Sequence, residues 1–208
     1  MSIFSVLPSK EFADIPRYPS FVKVLKIVAY RPFFVSTYEN IFLSFIGADE
    51  NVIAKGADDD DLFPVMDKIL EDRKHQKKLI VMHLKGSHFA FSDYNYSYKD
   101  YIFPSDNPLV DKYDNSIVHT DLFLKAIAED VMKRDEPVFV WYMPDHGENL
   151  NDFGDGNFGH GCAGLTRFEL ELPSVIFFNN AFLEKNSGIA NVLKTGTMFF
   201  PTAMSPTP

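Results

Sequence analysis

Hydrophobic positions along the chain switch repeatedly between a helical and an extended pattern. Phe21, Val24, Leu25 and Val28 recur at i, i+3, i+4 and i+7, which predicts a short helix after Pro19-Ser20. Pro32-Phe33-Phe34-Val35-Ser36 is a short apolar run that predicts a buried strand. Leu62, Phe63, Val65, Met66, Ile69 and Leu70 return to helical spacing, for a helix from about Leu62 to Lys74. Lys78-Leu79-Ile80-Val81-Met82-His83-Leu84 reads as a second strand, closed by charge and Gly86. The longest helix follows, with Asn107 as N-cap, Pro108 in the first turn, and Leu109, Tyr113, Ile117, Leu124, Ile127 and Val131 on one face. Lys133 and Arg134 are expected in its last turn, where the helix dipole favours cations. Two more apolar runs, Pro137 to Met143 and Leu172 to Phe178, complete the set. Helices alternating with wholly apolar strands predict an α/β fold with a largely parallel central sheet and helices on both faces. In such sheets ligands sit beyond the carboxyl ends of the strands.

Composition narrows the class. The chain has 208 residues, 46% of them hydrophobic, enough for a core and consistent with one domain over residues 1–208. No stretch approaches the roughly 18–20 uncharged apolar residues of a spanning helix. The start, MSIFSVLPSKEF, lacks the basic and apolar regions of a signal peptide. A net charge of −9 argues against a nucleic-acid partner. The single cysteine, Cys162, excludes a disulfide within the chain and reads as a small buried residue. Twenty-one Phe point to an aromatic core or to a surface that packs on something else. The run Asp58 to Asp61 reads as a solvated loop ending in a helix cap, because it lacks the alternating ligands and closing Glu of a calcium loop.

The chemistry gathers just after the strands. The strand at 78–84 leads into Lys85-Gly86-Ser87-His88, and the run at 137–143 leads into Pro144-Asp145-His146-Gly147-Glu148. The segment Asp155-Gly156-Asn157-Phe158-Gly159-His160-Gly161 follows, and its glycines let His160 return toward the same edge. Asp and neutral His suit zinc, and also manganese. A metal at Asp145 and His146 would neutralise an oxyanion and lower the pKa of a bound nucleophile. His88 and His160 would then bond non-bridging oxygens or protonate a leaving group. The structural alternative is a loop cap for Asp145-His146 and a polar edge position for each loop histidine. His75, in a charged stretch, His83, within a strand, and His119, mid-helix, keep that plainer reading.

Four motifs occur in order: Gly86-Ser87-His88, Tyr113-Asp114-Asn115, Asp145-His146-Gly147-Glu148 and Gly159-His160-Gly161. Their order and spacing resemble the catalytic domain of bacterial phosphoethanolamine transferases, in the sulfatase branch of the alkaline phosphatase superfamily. The resemblance runs from Tyr18 to about Asn180. It implies an alkaline phosphatase/sulfatase-like fold, with Asp145 and His146 binding the catalytic zinc. It also implies that His88 and His160 contact the substrate phosphate or a second zinc. Glu148 follows the motif but need not touch the metal; its expected role is the structural one of holding the loop by hydrogen bonds. The implied reaction takes phosphoethanolamine from a phospholipid donor to lipid A or another surface glycan, through a phosphothreonine. The implied location is the periplasmic face of the bacterial inner membrane, with membrane contact through helices ahead of the domain.

The chain departs from that pattern at its ends. The family's nucleophilic threonine falls near Met1 or Ser2 when counted back from Ser5-Val6-Leu7-Pro8, and no Thr occurs before Thr37. The nucleophile is therefore unknown, and the acidic zinc ligand upstream of it has no counterpart. The final run Phe199 to Pro208 stops where a last strand and helix are expected. The expectation is an incomplete catalytic domain with little or no transferase activity as written. A sulfatase or phosphodiesterase of the same superfamily, and a non-catalytic anion- or partner-binding protein of the same fold, are the alternatives. The aromatic loop from Phe89 to Asn107 carries no readable acceptor code; it either meets a lipid interface or covers its own domain.

Overall fold

The computed structural model describes residues 21–37, 47–53, 58–88, 91, 105–161 and 166–195. The expectations placed on Met1 to Pro8, Cys162, most of the aromatic loop and Phe199 to Pro208 lie outside these residues. The chain clusters into two compact units, Met1–Ser97 and Tyr98–Pro208.

The first unit is built on a parallel sheet. Helix α1 (Phe21–Ile27) leads into β1 (Arg31–Ser36), followed by β2 (Glu50–Ile53), a 3-10 turn (Asp59–Leu62), α2 (Phe63–Glu71) and β3 (Lys78–His83). The strand order is β2-β1-β3, and both pairings are parallel. Successive side chains on a strand face opposite sides. Phe33 and Val35 of β1 therefore pack with Ile80 and Met82 of β3 against Leu62, Val65 and Ile69. Phe34 goes the other way, with Leu79 and Val81, onto Phe21 and Val22 of α1. The register Phe33↔Ile80, Phe34↔Val81 keeps each layer aligned. That two-sided burial is why β1 reads as an unbroken apolar run. α1 ends in a Schellman arrangement: Ala29 has φ 66° and donates to Lys26 O, while Tyr30 N donates to Leu25 O.

The second unit opens with α3 (Pro108–Val131), capped as the sequence predicts, with Asn107 accepting from Leu109 N at 3.0 Å. The helix ends at Val131, so Lys133 and Arg134 lie just past it and no basic residue occupies its last turn. β4 (Phe139–Tyr142) follows, then β5 (Asn149–Leu150), β6 (Phe158–Gly159), α4 (Arg167–Leu170), β7 (Val175–Phe178), α5 (Asn180–Lys185) and α6 (Ser187–Thr195). β4 pairs with β7, and this pair is antiparallel, unlike the three-stranded sheet. Asn179, at 1% exposure, ties this region together. Its side-chain nitrogen donates to Val131 O, Arg134 O and Glu136 O, and its oxygen accepts from Val138 N and Phe182 N. One buried amide thus closes the end of α3, starts β4 and caps α5. The α/β class stands, with the parallel sheet covered on both faces in the first unit and an antiparallel pair in the second. Among the described residues no helix is long and apolar enough to cross a membrane.

Candidate metal centre

The turn after β4 is shaped by backbone contacts. Gly147 N donates to Glu169 O at 3.0 Å. A Cβ on residue 147 would stand 2.1 Å from Phe168 O, so only glycine fits against that carbonyl. Asp145 Oδ1 accepts from His146 N at 3.1 Å, which holds the carboxylate over its own turn. His146 Nδ1 lies 2.9 Å from Gly147 O. A carbonyl accepts but cannot donate, so Nδ1 carries the proton and Nε2 carries the lone pair. Asp145 Oδ1 is 3.8 Å from that Nε2.

The return of His160 has a register behind it. β5 and β6 pair antiparallel with Asn149 opposite Gly159 and Leu150 opposite Phe158. Extending the same register by one residue sets Glu148 opposite His160. The connecting loop turns through Asn151, Gly154 and Gly156, all at positive φ, and Asn151 Oδ1 accepts from Gly156 N. Glu148 Oε1 lies 3.0 Å from His160 Nδ1 and 3.8 Å from His146 Nδ1. The two imidazole rings are 3.7 Å apart between centroids. Ligand atoms of His146, Glu148 and His160 all fall within 4.8 Å of one another.

Glu148 is the buried member, its side chain 5% exposed, whereas that of Asp145 is 75% exposed. Its Oε2 is shielded from solvent and has no hydrogen-bond partner among the described residues. Burying a carboxylate oxygen without a donor is costly, and a cation relieves that cost. Two imidazoles and a carboxylate are a borderline donor set suited to zinc. The residues therefore fit a divalent cation.

A second carboxylate, Glu169, secures the His160 segment. It accepts from Gly161 N and Thr166 N, both at 2.8 Å. The bond from Gly161, followed by that from Thr166, holds its carboxyl below the usual range. Burial pushes the Tyr113 phenol on α3 up, and the charges of Glu148 and Tyr142 add to this.

His88 belongs to the first unit, on the loop that leaves β3, and is exposed. The base of that loop is clamped by Asp59, which is buried rather than solvated as its acidic run suggests. Asp59 Oδ1 accepts from Thr37 Oγ1 at 2.8 Å and from Lys85 N at 2.9 Å, and Oδ2 accepts from Gly86 N at 2.9 Å. Gly86 then turns through φ 54° toward Ser87 and His88. Of the other histidines, His83 Nδ1 lies 3.0 Å from Ser36 Oγ, His75 Nδ1 lies 2.5 Å from Asp72 Oδ2, and His119 sits within α3.

Fold and site together define a class. The Sulfatase family model matches residues 5–206, and the chain belongs to that family. It is 33% identical over 116 residues to the Kdo(2)-lipid A phosphoethanolamine 7''-transferase of Salmonella typhimurium, a match covering 51% of this chain and 20% of that one. The chain thus spans about a fifth of the length of that curated relative. Its fold is similar to the soluble domain of lipooligosaccharide phosphoethanolamine transferase A from Neisseria meningitidis, with a TM-score of 0.75 at 18% identity, over 89% of this chain and 62% of that one. It is also similar to the C-terminal periplasmic domain of EcEptC from Escherichia coli in complex with Zn, with a TM-score of 0.69 at 20% identity, over 81% and 54%.

Asp145, His146 and His160, expected from the sequence, fall in one neighbourhood with Glu148 at its centre. Glu148 is expected from the sequence to hold its loop away from a metal; in the structure it bonds a site histidine and stands in the group that could hold an ion. The acidic run predicts a solvated Asp59, and the structure buries it; Glu169 closes a Thr166-x-x-Glu169 capping box, a helix-start signature that the sequence carries but that does not show its second bond, to Gly161 N.

Proposed function

We propose that this chain is catalytic-domain sequence of a zinc-dependent phosphoryl transferase, with phosphoethanolamine as the group moved. The donor would be a phospholipid and the acceptor a surface glycan such as lipid A, at the periplasmic face of the inner membrane. The observation that carries the reading is the buried Glu148 carboxylate, with one oxygen on His160 and the other without a donor, beside His146. Membership of the sulfatase family and the similarity to phosphoethanolamine transferases support it.

In this reading His146, Glu148 and His160 hold the cation, with Asp145 as an oxygen donor at the rim. The ion, when bound, supplies positive charge to the oxyanion and lowers the pKa of a nucleophile. The protein's own part is orientation. Gly147 O fixes the tautomer of His146. Glu148 Oε1, 3.0 Å from His160 Nδ1, orients that ring. His88 keeps the contact to a phosphate oxygen that the family resemblance implies.

Binding of O-phosphoethanolamine to the zinc-loaded chain tests the assignment, followed through the imidazole resonances of His146, His160 and His88. The expected result is zinc-dependent binding that is tighter than for an aryl sulfate. A preference for the sulfate ester, or binding indifferent to zinc, would overturn it.

A further inference from the structure

A second cluster of charge stands at the amino ends of β1 and β3 in the first unit. A cavity of about 280 Å³ is lined there by Ala29, Arg31, Lys74, His75, Gln76 and Lys77. Three of the six are permanent cations and none is a carboxylate, in a chain whose net charge is −9. The fold builds this pocket from two turns. The first closes α1, where the small Ala29 takes the left-handed position. The second joins α2 to β3. Arg31 N donates to Lys77 O at 2.8 Å, and the register pairs Arg31 with Lys78.

Two of the cationic side chains, those of Arg31 and Lys77, are held by separate contacts. Arg31 Nη2 donates to Glu50 Oε1 at 2.5 Å, and its guanidinium lies over Phe33. Lys77 Nζ donates to Val28 O at 3.3 Å and lies 5.7 Å from the centre of the Tyr30 ring. His75 Nδ1 is 2.5 Å from Asp72 Oδ2. Glu50 and Asp72 do not line the cavity, but they stand directly on lining residues: Asp72 also accepts from Lys74 N at 2.8 Å, and Asp49 acts with both of them on Arg31. Arg31 Nε, shielded from solvent, has no acceptor among the described residues. Cations already held in place lose less freedom when they bind an anion than mobile ones do.

We propose that Arg31, Lys74 and Lys77 form a binding pocket for a phosphate oxyanion, with Gln76 as an additional amide donor. The space admits a tetrahedral anion and part of the group it is esterified to. That chemistry is shared by free phosphate and by the headgroup of an anionic phospholipid. It uses none of the residues of the metal centre, and it stands whether or not the zinc reading does.

The test is an NMR titration of the isotope-labelled full chain with inorganic phosphate, against chloride at equal ionic strength. Alongside it, co-sedimentation compares vesicles of phosphatidylglycerol with vesicles of phosphatidylcholine. Phosphate is expected to shift the amides of Ala29, Arg31, Gln76 and Lys77. The variant Lys74→Glu/Lys77→Glu should weaken that response at least about tenfold, since two favourable charges become repulsive. Lys74→Glu alone, at an exposed position, serves if the double variant does not fold. Sedimentation with phosphatidylglycerol that phosphate competes away identifies a lipid headgroup as the source. Phosphate shifts without sedimentation identify free phosphate. Amides that respond no more to phosphate than to chloride, or a response that survives charge reversal, would overturn the proposal.

Discussion

At the scale of single residues, the site depends on one missing methyl group. Residue 147 lies against the carbonyl of Phe168, and its amide bonds the next carbonyl, Glu169 O. Gly147→Ala is expected to force the turn away from α4, because a backbone oxygen cannot yield as a flexible side chain can. A cost of about 1–3 kcal/mol is the usual range for such overpacking. Chemical denaturation measures the stability, and the chemical shifts of His146 and His160 report the displacement. A variant of unchanged stability with unmoved imidazoles would show that the contact does not shape the turn. Why the motif needs glycine was invisible in the sequence, since the reason lies some twenty residues downstream.

At the scale of elements, the longer periodic segments were legible and the shorter ones were not. α1, β1, β3 and the start of α3 fall where apolar spacing and Asn107-Pro108 predict them, but Val22 rather than Val24 or Val28 is the buried residue at α1, and Ile117 on the predicted face of α3 is exposed. β2, with Glu50 and Asn51 in a four-residue strand, and the two-residue β5 and β6 lack the length to show a period. The antiparallel direction of β7 against β4 is likewise not encoded in a run of apolar residues. The hinge of this region is Asn179, whose five side-chain hydrogen bonds join α3, β4 and α5. Asn179→Ala leaves buried carbonyls and amides unpaired and is expected to cost at least about 2 kcal/mol. Thermal or urea unfolding of the variant checks this; an unchanged midpoint would contradict it.

The clamp between α4 and the His160 segment gives a dependence on pH. Glu169 has a carboxyl held below its usual range by the amides of Gly161 and Thr166. A carboxylate depressed in the folded state contributes stability that is complete above its unfolded value, about 4.3. That contribution is lost as pH falls through the lower folded value. Amide exchange at Gly161 and Thr166 should therefore accelerate below about pH 4, after correction for the intrinsic rate. Protection that is unchanged in Glu169→Gln would contradict the assignment.

At the scale of the whole molecule, the motifs carried the reading further than composition did. An acidic α/β chain is a common object; Asp145-His146-Gly147-Glu148 followed by Gly159-His160-Gly161 is not. The sequence named Asp145, His146 and His160, but which carboxylate is buried among the histidines depended on the β5–β6 register. That register puts Glu148 at the centre and leaves Asp145 at the exposed rim. The decisive quantity is the zinc affinity of the full chain against that of Glu148→Gln, measured by calorimetric titration at neutral pH. Glu148 as a ligand predicts one zinc per chain and a loss of at least about tenfold in affinity on substitution, with folding retained by circular dichroism. Equal affinities in the two proteins would contradict the metal centre described for these residues.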